Sequence, residues 1–338
     1  MENNIDSFVF SGGGHVGFYQ LGALYCLQEN GFIDRKKIKN IFATSAGSVI
    51  AVIFCLNYDK DEVYKYIIER PWENVFEIKL SQMVGFYNNN GLLDIDFFST
   101  IINSLLLGKS LSTDITLKEF YEFSEINIYF HTTELISMKL EIISHENYPD
   151  LPLIKALYMS CAIPMVFPPC FYNEKCFIDG GLLNNYPLSS YFKKSNNTNN
   201  VIGFVTKKTK TIKNNKIVKI DANNNILDIL NLYIGHFIKK LHTKKMFNIK
   251  NEIVFDTNGV NEKDFIAAIT CKESRKKYLD DGYKIAENFL KEVNFEKKIN
   301  NNNDISNNDI SNNDISNNND ISNNNDISNS NDISNNYK

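Results

Sequence analysis

Between Ile41 and Leu56 the chain reads IFATSAGSVIAVIFCL, sixteen residues without a charge. A helix that crosses a bilayer needs about 20 such residues, so the run is too short to span. It also holds Thr44, Ser45, Gly47 and Ser48 close together, which breaks a single helix reading. The pattern predicts a buried strand over Ile41–Thr44, a tight turn at Ser45 and a core helix over Ser48–Leu56. A segment that must be buried on all sides demands a large core around it. With 338 residues and 43% apolar content the chain can supply one.

The flanking sequence repeats the strand–turn–helix pattern. Phe8–Phe10 is a short apolar run that stops at Ser11 and three glycines. A helix is predicted from Gly17 to Glu29, ended by Gly31, and another over Asp59–Arg70, stopped by Pro71. Residues 72–125 read as mostly helical, with a turn at Asn88-Asn89-Asn90-Gly91. Strands are predicted over Ile126–Thr132, Lys139–Ser144, Lys175–Ile178, Val201–Thr206 and Ile253–Asp256. Helices are predicted over Leu153–Cys161, Glu262–Ile269 and Glu273–Val293. Strands alternating with helices imply an α/β fold with a mostly parallel sheet covered on both faces.

The net charge of −4 is not spread evenly. Residues 301–338 hold six Asp and one Lys, a net of −5, which leaves the rest at about +1. A nearly neutral body carries no field that calls for nucleic acid. From Asn301 the unit Asn-Asp-Ile-Ser recurs with one Ile per unit. Such a segment lacks core-forming content and reads as a disordered low-complexity tail. The six cysteines, Cys26, Cys55, Cys161, Cys170, Cys176 and Cys271, form no C-x-x-C pair and read as free thiols in a reducing compartment. MENNIDSFVF has neither the basic nor the apolar region of a signal peptide. A cytoplasmic, non-secreted protein is expected.

Three turns follow predicted strands, and a parallel layout brings them to the carboxyl edge of the sheet. The first is Ser11-Gly12-Gly13-Gly14-His15-Val16-Gly17, whose glycines leave backbone N–H groups free for a phosphate or an oxyanion. It also suits a dinucleotide fold. That fold wants an acidic residue after the second strand, and Asp34 lies before it. The second is Ala43-Thr44-Ser45-Ala46-Gly47, where small neighbours permit a sharp turn that exposes a serine. A lone Ser at such a place is more often a helix cap. The third is Asp179-Gly180-Gly181, by itself a common turn.

Taken in order, the three motifs resemble the patatin-like phospholipase family. Its signature is a glycine-rich oxyanion loop, a G-x-S-x-G elbow and an aspartate before G-A or G-G. Asn90-Gly91-Leu92-Leu93-Asp94, the stretch from Ser160 to Pro169, and Asn185-Tyr186-Pro187 are similar to further blocks of that family. Ala43 stands where the motif has Gly. The resemblance implies a three-layer α/β sandwich around a mostly parallel sheet. Its divisions would be a catalytic core over 7–191, a completion of the α/β domain over 192–292 and a disordered tail over 293–338. It implies a Ser45–Asp179 dyad without histidine. It implies an oxyanion hole at Gly12, Gly13 and Gly14, with Gly17, Ala43, Gly47, Gly180 and Gly181 in support. It implies no metal and no cofactor. The activity implied is hydrolysis of acyl esters of phospholipids or other glycerolipids. The alternative is an inactive relative that binds lipid or a partner.

Such a substrate would come from a membrane or lipid-droplet surface. Ile226, Leu230, Tyr233, Phe237 and Leu241 fall on one helical face, followed by Lys239, Lys240, Lys244 and Lys245. With the lysines of 207–219, the segment 226–250 reads either as a core helix with solvated lysines or as an interfacial helix at an anionic surface.

Overall fold

The computed structural model describes residues 4–72, 93–164, 166–208, 247–257 and 262–313. The Asn88–Gly91 turn, residues 90–92 of the following block, most of the basic segments 207–219 and 226–250, and the repeats from residue 314 lie outside the described residues. The chain divides into a unit of residues 1–290 and a second of 291–338. All that follows on packing concerns the first.

Eight described strands form one sheet. β1 (Ser7–Phe10) lies between β2 (Asn40–Thr44) and β7 (Val201–Lys208), parallel to both. β3 (Asn127–Glu134) adds in parallel to β2, and β8 (Asn251–Thr257) in parallel to β7. The margin is antiparallel. β4 (Lys139–Ile143) and β6 (Lys175–Asp179) both pair with β3, and β5 (Cys170–Tyr172) pairs with β6. The described helices are α1 (Val16–Glu29), α2 (Ala46–Cys55), α3 (Lys60–Glu69), α4 (Ile95–Gly108), α5 (Leu117–Ser124), α6 (Leu153–Cys161), α7 (Gly181–Asn184), α8 (Leu188–Lys194), α9 (Glu262–Thr270) and α10 (Lys272–Asn313).

The central strands are apolar on both faces because helices cover both. Alternate residues of a strand point to opposite sides. Phe8 meets Phe54 of α2 edge-on at 5.0 Å. Val9 and Phe42 face the other way, where Phe42 meets Tyr191 of α8 at 5.9 Å. The result is helix, sheet and helix in three layers, as the sequence implies. The uncharged run of residues 41–56 is strand, turn and core helix, and among the described residues no helix is long and apolar enough to cross a membrane. Local signals set the ends. Asp59 and Glu62 form a capping box at the start of α3, and Pro71 lies just beyond its end.

Some elements depart from expectation. β5 is three residues long, and α7 and α8 are four and seven; runs this short carry no readable periodicity. α10 continues through Asn313, past Val293, where the sequence reading starts a disordered tail. Its first half is rich in good helix formers, and extending an existing helix costs far less than nucleating one. The six cysteines are free, Cys170 and Cys176 included, and all but Cys271 are buried.

Candidate active site

The site is assembled at the carboxyl ends of β1, β2 and β6. Ser45 stands between the last residue of β2 and the first of α2, with φ 54° and ψ −128°. This is a left-handed conformation that costs a non-glycine residue on the order of 1–3 kcal/mol. Packing holds it there. A Cβ at Gly47 would lie 2.6 Å from the Phe10 Cβ and 2.9 Å from the Ser11 carbonyl oxygen, so only glycine lets α2 start this close to β1. Ala43 has no positive φ. It is an ordinary, fully buried strand residue in register with Phe10 and Phe130, so the backbone strain falls on Ser45 and not on the alanine.

Two buried side chains brace the elbow. The Ser160 hydroxyl donates to the His131 carbonyl at 2.8 Å and accepts the Ser45 N–H at 3.1 Å. Ser48 Oγ lies 2.9 Å from the same oxygen. Since the Ser160 proton is already engaged, Ser48 is the donor there. The His131 ring sits under the strand. Its Nδ1 is 3.1 Å from both the Ala43 and Tyr129 carbonyls, which requires a proton on that nitrogen, and Nε2 accepts from Ser190 Oγ at 2.8 Å. Burial pushes the His131 pKa down to about 4, against the two carbonyls, so the ring is neutral. Both its nitrogens are engaged, and it is no triad base.

Asp179 ends β6 and is buried, as is Ser45. Its Oδ1 accepts the Gly181 N–H at 2.6 Å. Its Oδ2 is fully buried without a hydrogen bond of normal geometry. Desolvation raises the carboxyl pKa to about 6, opposed by the nearby Ser45 hydroxyl and by the Gly181 N–H. The Asp179–Gly180 turn can pack this tightly because a Cβ at Gly180 would lie 2.2 Å from the His131 carbonyl oxygen.

The glycine loop comes close as well. A Cβ on Gly12 would lie 3.0 Å from the Ser45 Cβ and 2.6 Å from Asn185 Oδ1. Of the three glycines expected to donate to an oxyanion, Gly12 is engaged already, its N–H donating to the Asn185 carbonyl at 2.9 Å. The N–H groups of Gly13 and Gly14 donate to no backbone group of the described residues. They precede α1, whose N-terminus favours negative charge. Gln20 Nε2 and the Thr206 N–H hold Ser11 at the base of the loop, at 2.9 Å each.

Residues 184 and 185 tie the three motifs together. The Thr44 hydroxyl donates to the Asn184 carbonyl at 3.0 Å, and Asn185 Nδ2 donates to the Gly12 carbonyl at 3.3 Å. Sequence reading singles out Asn185 only as part of a secondary block, and it gives Ser160 and His131 no role. Their contacts with the motifs span 88 to 173 residues of chain, so no local pattern could announce them.

Ser45 opens onto an apolar cavity of about 150 Å³. Ala46, Val49, Ile50 and Ile53 of α2 form one wall. Phe97, Phe98 and Ile101 of α4 contribute to the rest, together with α1, α9 and Trp72. Among the described residues there is no group of three His, Cys, Asp or Glu side chains that could hold a metal ion.

Comparison with known proteins bears on the family and the fold. The family described as patatin-like phospholipase matches residues 8–191. A probable lipid hydrolase, 463L, of Invertebrate iridescent virus 6 is 29% identical over 195 residues, 57% of this chain and 65% of that protein. The lysophospholipase NTE1 of Meyerozyma guilliermondii is 24% identical over 203 residues, 57% of this chain and 12% of that one. The matched region thus spans less than two thirds of these relatives' own length. The crystal structure of VipD from Legionella pneumophila superposes with a TM-score of 0.50 at 16% identity, covering 86% of this chain and 67% of that one, a likeness of fold.

Proposed function

The chain belongs to the patatin-like phospholipase family, and on that premise we propose that it is a lipid acyl hydrolase working through a Ser45–Asp179 dyad. The observation that carries the reading is the state of Asp179. One carboxylate oxygen is fixed by the Gly181 N–H, and the other is buried beside the Ser45 hydroxyl without a hydrogen bond of normal geometry. A desolvated carboxylate with a pKa near 6 is a far better base at neutral pH than one near 4.

In this mechanism Asp179 Oδ2 takes the hydroxyl proton as Ser45 Oγ attacks the ester carbonyl. The developing oxyanion is held by the Gly13 and Gly14 N–H groups. The tetrahedral adduct collapses, the C–O bond to the alcohol breaks, and the proton on Asp179 passes to the leaving oxygen. Water then attacks the acyl-serine, giving its proton to Asp179, and the fatty acid leaves with Ser45 restored. The Ser45 N–H takes no part in holding the oxyanion, since Ser160 already accepts it. The apolar cavity at Ser45 receives the acyl chain, and the lipid is drawn from a membrane or droplet surface.

The test is hydrolysis of a soluble fluorescent ester and of phospholipid vesicles by the full chain. It is paired with labelling by a fluorophosphonate probe. Ser45→Ala and Asp179→Asn should each lose activity by at least 10³-fold, in the range seen for removal of a nucleophile or its base. Activity that survives Ser45→Ala would sink the reading. A protein that binds vesicles but neither hydrolyses nor labels would be an inactive lipid binder.

A further inference from the structure

The cavity beside Ser45 has a size as well as a polarity. Its volume is about 150 Å³. An apolar cavity of that volume, lined by Leu, Ile and Phe, is one that benzene fills, a ligand of six carbons. Its length along one wall agrees. Ala46, Val49, Ile50 and Ile53 face it from α2, and residues 46 to 53 advance about 10 Å at 1.5 Å per residue.

The walls are not free to give way. Trp72 donates through Nε1 to the Ile67 carbonyl at 2.7 Å. Arg275, buried beside it in the lining, donates through Nε to the Ile67 carbonyl at 2.8 Å and through Nη1 to the Ile269 carbonyl at 2.9 Å. Its Nη2 reaches the Ile68 carbonyl at 3.1 Å. Swinging Arg275 aside would strip hydrogen bonds from carbonyls at the ends of α3 and α9, and swinging Trp72 aside would leave its own buried Nε1–H without the Ile67 carbonyl.

We propose that this cavity measures the acyl chain at about six to eight carbons, so that the substrate class is medium-chain acyl esters, with Val49 and Ile101 as specificity-determining residues. The proposal rests on the Ser45–Asp179 reading for its catalytic meaning, but the fit of the chain can be measured apart from catalysis. Each methylene brought into the cavity raises kcat/KM about fourfold. A chain longer than about eight carbons cannot be seated between these walls with its carbonyl at Ser45, so kcat/KM falls beyond that length. Val49 is one helical turn into α2, so a larger side chain there shortens the space. Ile101 is only half-buried on α4, so trimming it lengthens the space at little cost to the fold.

The experiment is a ladder of p-nitrophenyl esters from two to sixteen carbons on the full chain, the Val49→Phe and Ile101→Ala variants, and a melting curve for each. Alongside it, calorimetry measures the binding of alkyl methyl ketones of six to fourteen carbons to the Ser45→Ala protein. Expected are an ester optimum at about six to eight carbons, a shift to two to four in Val49→Phe, and a longer optimum in Ile101→Ala. Ketone affinity should stop rising at the same length. If esters are cleaved in a Ser45-dependent way but kcat/KM climbs steadily to sixteen carbons, or folded variants keep the wild-type profile, the length limit is wrong and the dyad stands. If no ester is cleaved but ketone binding levels off near eight carbons, the dyad reading fails and the cavity limit stands. If ketone affinity rises without a break, the limit is overturned whatever the catalysis.

Discussion

Thr44 and Asp179 occupy consecutive rungs on the same flank of β3, Thr44 opposite His131 and Asp179 opposite Thr132. β4 fills the other flank from Phe130 to Glu134, so β2 and β6 must share the inner one. They approach end to end, β2 in parallel and β6 antiparallel, and each stops where a turn leaves the sheet. The serine after Thr44 and the carboxyl of Asp179 therefore meet across the gap between two strand ends. The sheet's register, and not a flexible loop, sets their separation.

The pH dependence of the reaction should report Asp179. Only the ionised carboxylate can take the serine proton. Its pKa is raised to about 6, chiefly by desolvation. With a soluble ester, kcat/KM should be level above that pH and fall tenfold per pH unit below it. His131, pushed down to about 4, does not titrate in this range. An acid limb near pH 4 would mean that Asp179 is not desolvated in the working enzyme.

The same shift has a consequence for stability, of opposite sign to the usual carboxylate. The folded-state pKa lies above the unfolded value, so folding favours the protonated form. That contribution is complete below about pH 4 and is lost as pH rises through about 6. A displacement of about two units corresponds to about 3 kcal/mol of strain from the ionised group at pH 8. Asp179→Asn cannot ionise. It should melt above the wild type at pH 8 while lacking activity, and the difference should shrink toward zero at pH 4. Equal melting temperatures at both pH values would show that the ionised carboxylate is well solvated.

Asn185 should matter to rate more than to stability. Its carbonyl takes the Gly12 N–H, and its side-chain amide returns a bond to the Gly12 carbonyl. Asn185→Ala removes the second bond, worth about 1 kcal/mol to the fold. It should free the loop that presents Gly13 and Gly14, and kcat should drop about 10- to 100-fold with KM nearly unchanged. Asn185→Asp should be no better, since it opposes a carboxylate oxygen to the Gly12 carbonyl. A loss confined to KM would place the residue in substrate binding instead.

Much of this site was legible because each of its three loops is a local pattern, an apolar strand broken by Gly, Ser or Asp and followed by a helix. Ser45, Asp179 and the glycines stand out as candidates once those patterns are taken in order and set beside the family they resemble. What joins the loops could not. That β6 lies on the flank of β3 left open by β2 is a long-range pairing, and periodicity carries no information on it. The Gly12 amide looks like its two neighbours in sequence, and only the fold shows that Asn185 has taken it. Ala43 departs from the glycine of the elbow motif. Its ordinary φ shows why the backbone tolerates it, the left-handed turn falling on Ser45 alone.

Ser160 makes the remaining prediction, because its one hydroxyl serves three groups. It accepts from the Ser45 N–H and from Ser48 Oγ, and it donates to the His131 carbonyl. All four residues are buried. Ser160→Ala leaves the Ser45 N–H without an acceptor in a place water does not reach, which costs about 1–3 kcal/mol. The strained φ of Ser45 then loses one of the bonds that hold it. We expect a lower melting temperature by several degrees and a fluorophosphonate labelling rate at least tenfold slower at a temperature where the variant is fully folded. Ser160→Thr keeps the hydroxyl and should recover labelling in the folded fraction, whereas Ser160→Cys, a weak donor and acceptor, should not. Full-rate labelling in Ser160→Ala would show that the elbow keeps its geometry through Gly47 and Phe10 packing alone.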